Sequence, residues 1–418
     1  MAIRMSRSLT SLETMSKQFG AVVLQLCLAS ALPVSAQRVR PKKAEKSLNS
    51  YARQSVKVIP VEIPITNQIY IQARLNNSEP MWFILDTGAT STILDVDKAK
   101  ELDIKSEDHR SLNLGQTNTI AATFAKNASL DISGIKIPIE TLGVMPVRFR
   151  HAPQIVGLIG SDFFKRFVVE IDYQARTISL FEPNSFRYTG RGEIVPFELR
   201  QEIPHIVVKV SKGNADSLDA WLAVDTGASQ TVVVNAAFVE KNKLLETTEG
   251  TIKLRAGGLG GGGFNYKVRA KAVKIGNIVF DKPLINFSTG RFAAVEQDGV
   301  IGNGFLNRFK LITDYSRKRV ILEPSERIKD PTDFDFFLFK IVRSDTTYKI
   351  ADMLQSSMTA EAGLRIGDIL LAVNGQPVSD LSPPQIYQMF MMDGRDRVLS
   401  LKRGTETLDI KLQTFPIF

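Results

Sequence analysis

The chain has 418 residues, a length that exceeds one ordinary domain and predicts two or three. Hydrophobic residues make up 44% of it and charged residues 23%, a balance that excludes wholesale disorder and a membrane protein with many spans. The formal net charge is +9, but nearly all of the excess lies within residues 1–58, so the charge does not indicate a nucleic-acid partner.

The N-terminus has the pattern of a secretory signal. Three basic residues precede an apolar run at 19–36, which ends in Val-Ser-Ala. Residues 1–36 are therefore predicted to be a signal peptide cleaved after Ala36, and the protein to be exported, periplasmic or extracellular. The alternative is a retained membrane anchor, which Gln25 and Pro33 within the run disfavour.

Residues 37–58 form a strongly basic leader with seven Lys or Arg residues and one acidic residue. Such a segment is either a solvated, mobile leader or a contact with an anionic membrane surface. The prediction therefore includes a membrane-surface contact as a possible partner interaction.

Cysteine and histidine are too sparse to build a metal centre. The single cysteine, Cys27, lies inside the predicted signal, so a cleaved chain contains no disulfide and no cysteine nucleophile. The histidines, His109, His151 and His205, are far apart and form no zinc-binding motif. We predict no metal site and no cofactor.

The chain contains an internal repeat. The segment WFILDTGATSTILD at 82–95 recurs as WLAVDTGASQTVVVN at 221–235, and the segment at 157–180 recurs at 299–322. The motifs are similarly spaced in both copies, which predicts two homologous lobes.

The predicted lobes span residues 59–190 and 191–325. Each consists mostly of short apolar or alternating segments broken by Gly, Asn, Pro and Asp, a pattern typical of strands. One helix per lobe is predicted after the repeated turn, with Asp95 and Asn235 as the N-caps.

The repeated Asp-Thr-Gly tripeptide carries the candidate chemistry. One copy alone is a weak signal, and Gly88 and Gly227 could simply close tight turns after Asp86 and Asp225. Two copies, each after an apolar strand and each followed by an Ile-Gly element downstream, favour a pair of functional carboxylates.

These motifs resemble those of the retropepsin-like and pepsin-like aspartic peptidases. The matching segments are D-T-G-A at 86–89 and 225–228, and the apolar-apolar-Gly elements at 158–160 and 300–302. The resemblance implies a mainly β fold, with two β-barrel lobes around a pseudo-twofold axis. It also implies a set of site residues: Asp86 and Asp225 as the catalytic dyad, with Thr87, Gly88, Thr226 and Gly227 supporting it.

Two carboxylates in close contact cannot both ionise cheaply, so they share a proton. One then acts as base on a water molecule and the other as acid on the peptide carbonyl. Ala89 and Ala228 follow the two motifs where pepsin-like enzymes often place a hydroxyl. We therefore expect the lower of the dyad's two apparent pKa values to be raised. Activity should then occur in mildly rather than strongly acidic conditions.

The resemblance also implies hairpin flaps over the substrate, for which residues 112–124 and 252–268 are the candidates. The second contains a glycine-rich run at 256–266, whose alternative interpretation is a flexible loop without a role.

The C-terminal region is predicted to be a separate domain at 335–418. It resembles the PDZ domains of exported bacterial proteases, small α+β domains that bind extended peptides by strand addition. The matching residues are Gly363, Leu364, Gly367, Asp368, Asn374 and Gly375. The expected carboxylate-binding loop at 336–339 lacks glycine, so binding of a free C-terminus and a purely structural lid both stay open.

The sequence thus predicts an aspartic endopeptidase that acts on proteins or peptides, assisted by a PDZ domain that docks a peptide. The alternative of another class is a catalytically weak peptide-binding or scaffold protein that uses the groove and the PDZ domain. A hydrolase of a non-protein amide is less favoured, because flaps imply an extended groove.

Overall fold

The structure is a computed structural model that describes residues 55–64, 67–113, 119–147, 154–211, 217–246, 252–258, 261–289, 297–329, 339–344, 347–353, 358–381, 386, 389 and 396–412. The predicted signal peptide and most of the predicted basic leader lie outside these ranges. Within them, no helix is both long and apolar enough to cross a membrane.

The first lobe is built from short strands and two short helices. They are β1 (Lys57–Pro60), β2 (Tyr70–Leu75), β3 (Met81–Leu85), β4 (Ile93–Asp95), α1 (Val96–Glu101), β5 (Glu107–Asn113), β6 (Thr119–Ile132), β7 (Ile135–Met145), β8 (Ile155–Ile159), α2 (Ser161–Arg166), β9 (Val168–Asp172) and β10 (Thr177–Phe181). Seven strands form one sheet in the order β2-β3-β8-β4-β7-β6-β5. β2 also pairs with β6, which closes the sheet into a barrel.

The second lobe repeats this plan. Its elements are β11 (Glu193–Pro196), β12 (Glu198–Arg200), β13 (Ile203–Ser211), β14 (Ser217–Asp225), β15 (Val232–Val234), α3 (Ala236–Lys241), β16 (Ile252–Gly258), β17 (Gly261–Arg269), β18 (Ala272–Ile275), β19 (Ile278–Asp281), β20 (Leu284–Ser288), β21 (Gly299–Gly302), α4 (Asn303–Leu306), β22 (Phe309–Asp314), a 3₁₀ turn (Tyr315–Arg317), β23 (Arg319–Pro324) and a second 3₁₀ turn (Glu326–Lys329). The sheet order is β16-β17-β20-β15-β21-β14-β13-β18-β19, with β12 paired to β13.

The helices after the repeated turns begin where the sequence predicts. Asp95 accepts a hydrogen bond from the Asp97 amide, and Asn235 accepts one from the Phe238 amide. Each cap satisfies an N–H group that has no partner inside its helix. The same local chemistry therefore turns the chain at equivalent points of both lobes.

A third sheet joins the lobes, in the order β1-β10-β9-β22-β23-β11. At its centre β9 pairs antiparallel with β22, with Val169 opposite Thr313 and Ile171 opposite Leu311. In the repeat, Val169 corresponds to Leu311 and Ile171 to Thr313, so the register is the same when read from either lobe. A pseudo-twofold axis therefore passes between these strands, and one apolar core runs through both lobes.

The C-terminal domain has its own sheet and core. Its elements are β24 (Phe339–Ser344), β25 (Thr347–Met353), α5 (Met358–Glu361), β26 (Ile369–Val373), β27 (Gln376–Pro377), a 3₁₀ turn (Val378–Asp380), β28 (Arg397–Arg403) and β29 (Glu406–Leu412). The strands follow the order β24-β25-β26-β28-β29, with β27 paired to β26. Its buried side chains, including Tyr348, Ile350 and Leu399, form an apolar cluster separate from the core of the lobes. The described chain is therefore mainly β, as predicted.

Candidate active site

Each Asp-Thr-Gly turn begins at the end of a central strand. Asp86 follows β3, and its amide donates to the Ile159 carbonyl over 2.9 Å. Asp225 ends β14 and lies opposite Gly302 in the parallel pairing with β21. The downstream apolar-apolar-Gly elements, β8 and β21, thus lie directly beside the two turns.

The glycines of these downstream elements lie where a larger side chain would clash with the backbone of the neighbouring turn. A Cβ on Gly160 would lie 2.8 Å from the Ala89 carbonyl oxygen, and a Cβ on Gly302 would lie 2.9 Å from that of Ala228. Both separations are too short for a carbon atom beside a backbone oxygen. The glycines therefore let each turn pack onto the strand behind it.

The two predicted dyad carboxyls meet. The side chains of Asp86 and Asp225 lie close enough for each carboxyl to shift the pKa of the other, and the residues are only 6% and 2% exposed. A Cβ on Gly88 would lie 2.6 Å from the Asp225 carboxyl carbon, and one on Gly227 would collide with the Asp86 carboxyl. Each turn glycine thus makes room for the carboxyl of the opposite lobe.

The turn amides hold the carboxyls in place. The Gly88 amide donates to Asp86 Oδ1 over 2.7 Å. The amides of Gly227 and Ala228 donate to Asp225 Oδ1 over 2.8 and 2.9 Å. The amides of each turn thus orient the carboxyl of that turn.

The two threonines bind across the lobes. The Thr87 amide donates to Thr226 Oγ1 and the Thr226 amide donates to Thr87 Oγ1, each over 3.0 Å. Each hydroxyl then donates onward, Thr87 to the Val224 carbonyl over 2.6 Å and Thr226 to the Leu85 carbonyl over 2.8 Å. This closed set of four bonds fixes one turn relative to the other.

Burial is the main cause that shifts both dyad pKa values. It raises the pKa of Asp86 to about 6, against the lowering effect of hydrogen bonds from Asp225 and the turn amides. It raises the pKa of Asp225 well above the usual range, and the neighbouring Asp86 charge and hydrogen bond raise it further. Because the two carboxyls interact this closely, they titrate as one pair that shares a proton. The sequence predicted a raised dyad pKa because Ala89 and Ala228 supply no hydroxyl. In the structure, burial is the largest cause of the raised pKa values of Asp86 and Asp225.

The support of the dyad is not symmetric, and sequence reasoning missed this. Gln68 of the first lobe donates from Nε2 to the Gly227 carbonyl over 2.7 Å. Behind the second turn, Asn303 donates from Nδ2 to the Thr226 carbonyl. Tyr173 of the first lobe donates to Asn303 Oδ1 over 2.6 Å. Two side chains of the first lobe therefore steady the turn of the second.

The counterpart positions behave differently. Ser161, which occupies the place of Asn303 in the repeat, donates to the Thr90 carbonyl over 2.6 Å. Tyr315, the counterpart of Tyr173, stacks on Phe164, and its hydroxyl has no hydrogen-bond partner among the described residues. The sequence signal for this difference was Asn303 in the place of Ser161, one of several differences between the two repeated segments.

Hairpins occur at both predicted flap positions. β5 pairs with β6, and β16 pairs with β17 up to Gly258 opposite Gly261. The connecting residues 114–118 and 259–260 lie outside the described residues.

The histidines form no ligand cluster in the described part of the chain, where no group of three or more His, Cys, Asp or Glu side chains could hold a metal ion. His205 is buried in the second lobe, and its ring nitrogens contact the Ile203 carbonyl and Gln297 Oε1, each over 2.9 Å. Burial lowers the pKa of His205. The side chain of His109 and all of His151 lie outside the described residues.

The residues singled out in the C-terminal domain form its turns. Gly363, Gly367 and Gly375 have φ values of +95°, +99° and +76°, a region that favours glycine. Asp368 accepts two hydrogen bonds of 2.8 Å from Arg403, which lower the pKa of Asp368 despite its burial. Leu364 packs in the core, and Asn374 has a left-handed φ of 50°. Of the predicted carboxylate-binding loop, residues 336–338 lie outside the described residues.

Comparison with known families agrees with this architecture. Residues 71–163, within the first lobe, match the family described as aspartyl protease, and residues 349–403 match the PDZ domain family. A search of curated proteins found no match. The second lobe is related to the first by the internal repeat and by the shared strand plan. The chain thus contains a first-lobe segment that matches the aspartyl protease family, a second lobe that repeats its motifs and strand plan, and a C-terminal segment that matches the PDZ domain family.

Proposed function

We propose that this protein is an aspartic endopeptidase that hydrolyses peptide bonds with a water molecule activated by Asp86 and Asp225. The observation that carries the proposal is the buried juxtaposition of these two carboxyls, one from each lobe and each against the turn glycine of the other. Such a pair keeps one proton over a wide pH range and so supplies a base and an acid at the same place.

In the first step, the Asp86 carboxylate takes a proton from water while the water oxygen attacks the peptide carbonyl carbon. Asp225 gives its proton to the carbonyl oxygen, and a tetrahedral gem-diol forms. As the gem-diol collapses, one of its hydroxyls returns a proton to Asp225, Asp86 gives its proton to the departing nitrogen, and the C–N bond breaks. The products are a carboxylic acid and an amine, and the dyad again holds one proton, on Asp225. The threonine bonds across the lobes hold the two turns, and with them the two carboxyls, in place for these proton transfers.

The test is hydrolysis of a denatured protein mixture, with and without a transition-state inhibitor of aspartic peptidases. We expect inhibition, and we expect Asp86→Asn and Asp225→Asn each to lower the rate by at least about 10²-fold. Asp219→Asn is the matched control, because Asp219 is an exposed carboxylate on the same strand as Asp225, paired with Lys209. An Asp86 or Asp225 variant with most of its activity would refute the dyad.

A single chain should suffice for activity. Both carboxyls belong to one polypeptide, so the lobes meet at an effective concentration that dilution does not change. Specific activity is expected to stay constant through the nanomolar range, and the two Asp→Asn variants should not restore each other's activity on co-expression. Loss on dilution, or restored activity, would place the dyad between chains.

We propose that the PDZ domain docks protein or peptide substrates beside the peptidase lobes. Its independent core supports a separable role. Deleting residues 330–418 should leave cleavage of short peptides intact and weaken cleavage of large proteins, because a second contact site raises effective concentration. Equal losses on both substrates would indicate a structural lid instead.

We also propose that the protein acts outside the cytoplasm, on the basis of the signal-like residues 1–36 and the basic leader after them. Cell fractionation and N-terminal sequencing of the purified protein test this. A cytoplasmic protein with an intact N-terminus would contradict it.

A further inference from the structure

The two dyad carboxyls stand on equivalent sheet faces. Side chains alternate between faces along a strand, so Ile84 shares a face with Asp86, and Ala223 shares one with Asp225. From these two residues, cross-strand register defines one row of side chains in each lobe. Comparing the rows shows what each lobe offers to a substrate beside the dyad.

In the first lobe the row is apolar throughout. In register across β2, β3, β8, β4, β7 and β6 it consists of Tyr70, Ile84, Leu158, Ile93, Gly143 and Phe124. One step further along β6 and β7 lie Ala122 and Met145. Apart from the glycine, these side chains form one buried apolar cluster.

In the second lobe the corresponding row is smaller, and half of its side chains are polar. Across β13, β14, β21, β15, β20 and β17 it consists of His205, Ala223, Val300, Val233, Asn286 and Lys267. At the next step, Asn265 and Ser288 occupy the places of Ala122 and Met145 and lie opposite each other in register. The second lobe therefore has less side-chain volume and more hydrogen-bonding groups on the same face.

Two of these polar groups are buried without partners. Asn265 is 7% exposed and Ser288 is 0% exposed. Asn265 Oδ1 and Ser288 Oγ make no hydrogen bond among the described residues. Buried polar atoms without partners are unfavourable and uncommon, so a pair of them on the face of a proposed active site indicates a partner that arrives with a ligand.

We propose that Asn265 and Ser288 form the base of a side-chain pocket that selects a carboxamide residue, glutamine or asparagine, on one side of the scissile bond. A carboxamide N–H donates to Asn265 Oδ1, while its carbonyl oxygen accepts from the Ser288 hydroxyl. A carboxylate has no donor for Asn265 Oδ1, and an apolar side chain satisfies neither atom. This inference rests on the proposed peptidase function and names the substrates of that same site.

The test is a cleavage profile on peptides that differ only at the residues flanking one cleavable bond. Gln, Asn, Glu, Leu and Met are placed in turn on each side, and kcat/KM is measured. We expect Gln or Asn to exceed Leu and Glu by at least about 10-fold on one side only, because an apolar residue leaves both polar atoms unpaired. A profile that favours Leu or Glu on both sides, or is flat, would overturn the pocket.

A double variant, Asn265→Ala with Ser288→Met, gives the second lobe the residues of the first. It should lose the carboxamide preference and gain cleavage of the Leu and Met peptides. A carboxamide preference that persists in the folded double variant would refute the assignment to these two residues. If the variant fails to fold, the wild-type profile alone decides. If wild type cleaves no peptide of any kind, the peptidase function itself fails, which is a different outcome from cleavage without preference.

Discussion

The two lobes are alike where the chemistry needs a twofold arrangement and different where it does not. The two reciprocal hydrogen bonds between Thr87 and Thr226 are each 3.0 Å long. Each turn glycine also lies against the carboxyl of the opposite lobe. Around this frame, Asn303 hydrogen-bonds only to the second turn, and the sheet face beside Asp225 carries several polar side chains where the other face is apolar. A duplicated chain can thus keep a shared pair of carboxyls while the surroundings of that pair differ between the lobes.

The largest expected effect concerns the unequal pKa values of the carboxyls. Asp86, with a pKa of about 6, must be ionised while Asp225 keeps its proton. Activity should therefore fall about tenfold per pH unit below about pH 6 and fall again once Asp225 ionises. A pH profile of kcat/KM checks this, and a maximum near pH 2 would contradict the difference.

The next prediction concerns the two turn glycines, which occupy equivalent positions in the two lobes. Gly88→Ala and Gly227→Ala each place a methyl group against the opposite carboxyl, and each should lower kcat by at least about 10²-fold. Gly143→Ala is the control for folding, since its nearest contact would be an ordinary 3.4 Å to Ile93. If only one of the two variants lost activity, the two turn glycines would not have equivalent roles in the site.

Valine at the bridging threonines should destabilise the joined lobes. Thr87→Val and Thr226→Val each remove a hydroxyl that both donates and accepts in the buried set. Each should lower the free energy of unfolding by about 1–3 kcal/mol, measured by urea unfolding. Thr→Ser at the same positions keeps the hydroxyl, and a serine variant as unstable as the valine variant would show that the bonds are not the cause.

Asn303→Ala should affect the second lobe alone. Without Asn303 Nδ2 the Thr226 carbonyl loses its donor, so kcat should fall about tenfold with little change in KM. Ser161→Ala, at the equivalent place, removes the side-chain hydrogen bond to the Thr90 carbonyl and should change kcat less than about threefold. Equal effects of the two variants would mean that the asymmetry behind the turns has no consequence for the reaction.

The smallest expected effect is on how the free energy of unfolding depends on pH. Burial raises the pKa of Glu170 to about 7, with Lys310, Asp172 and Glu323 around it, as it raises that of Asp86. A carboxyl whose folded pKa is raised contributes stability at low pH that is lost as pH rises through the folded value. The free energy of unfolding should therefore decline between pH 4 and 8. Glu170→Gln should flatten that decline, and an unchanged slope would refute it.

Much of the frame could be predicted from the sequence because it depends on local and repeated patterns. The repeat predicted two lobes, Asp95 and Asn235 predicted the helix starts, and Asp-Thr-Gly predicted where the carboxyls lie. Gly363 and Gly367 likewise marked turns that need a positive φ.

The cross-lobe contacts could not be predicted. Gln68 and Gly227 are 159 residues apart, and Tyr173 and Asn303 are 130 apart. None of these side chains forms a recognisable motif with its partner, and their proximity depends on how two sheets pack. The row of side chains beside Asp225 could not be predicted for the same reason. Its residues come from six strands and become neighbours only through the register of strand pairing.

The central pairing of the interlobe sheet has a consequence for biosynthesis. Thr313, on β22, contacts the Val169 carbonyl of β9 across 144 residues of chain, so β9 leaves the ribosome long before its partner exists. During that interval β9 exposes a row of unpaired backbone N–H and C=O groups, a template for aggregation with other nascent chains. Closing so long a loop is also slow compared with forming local hairpins. The first half of the molecule therefore depends on timely completion of the second.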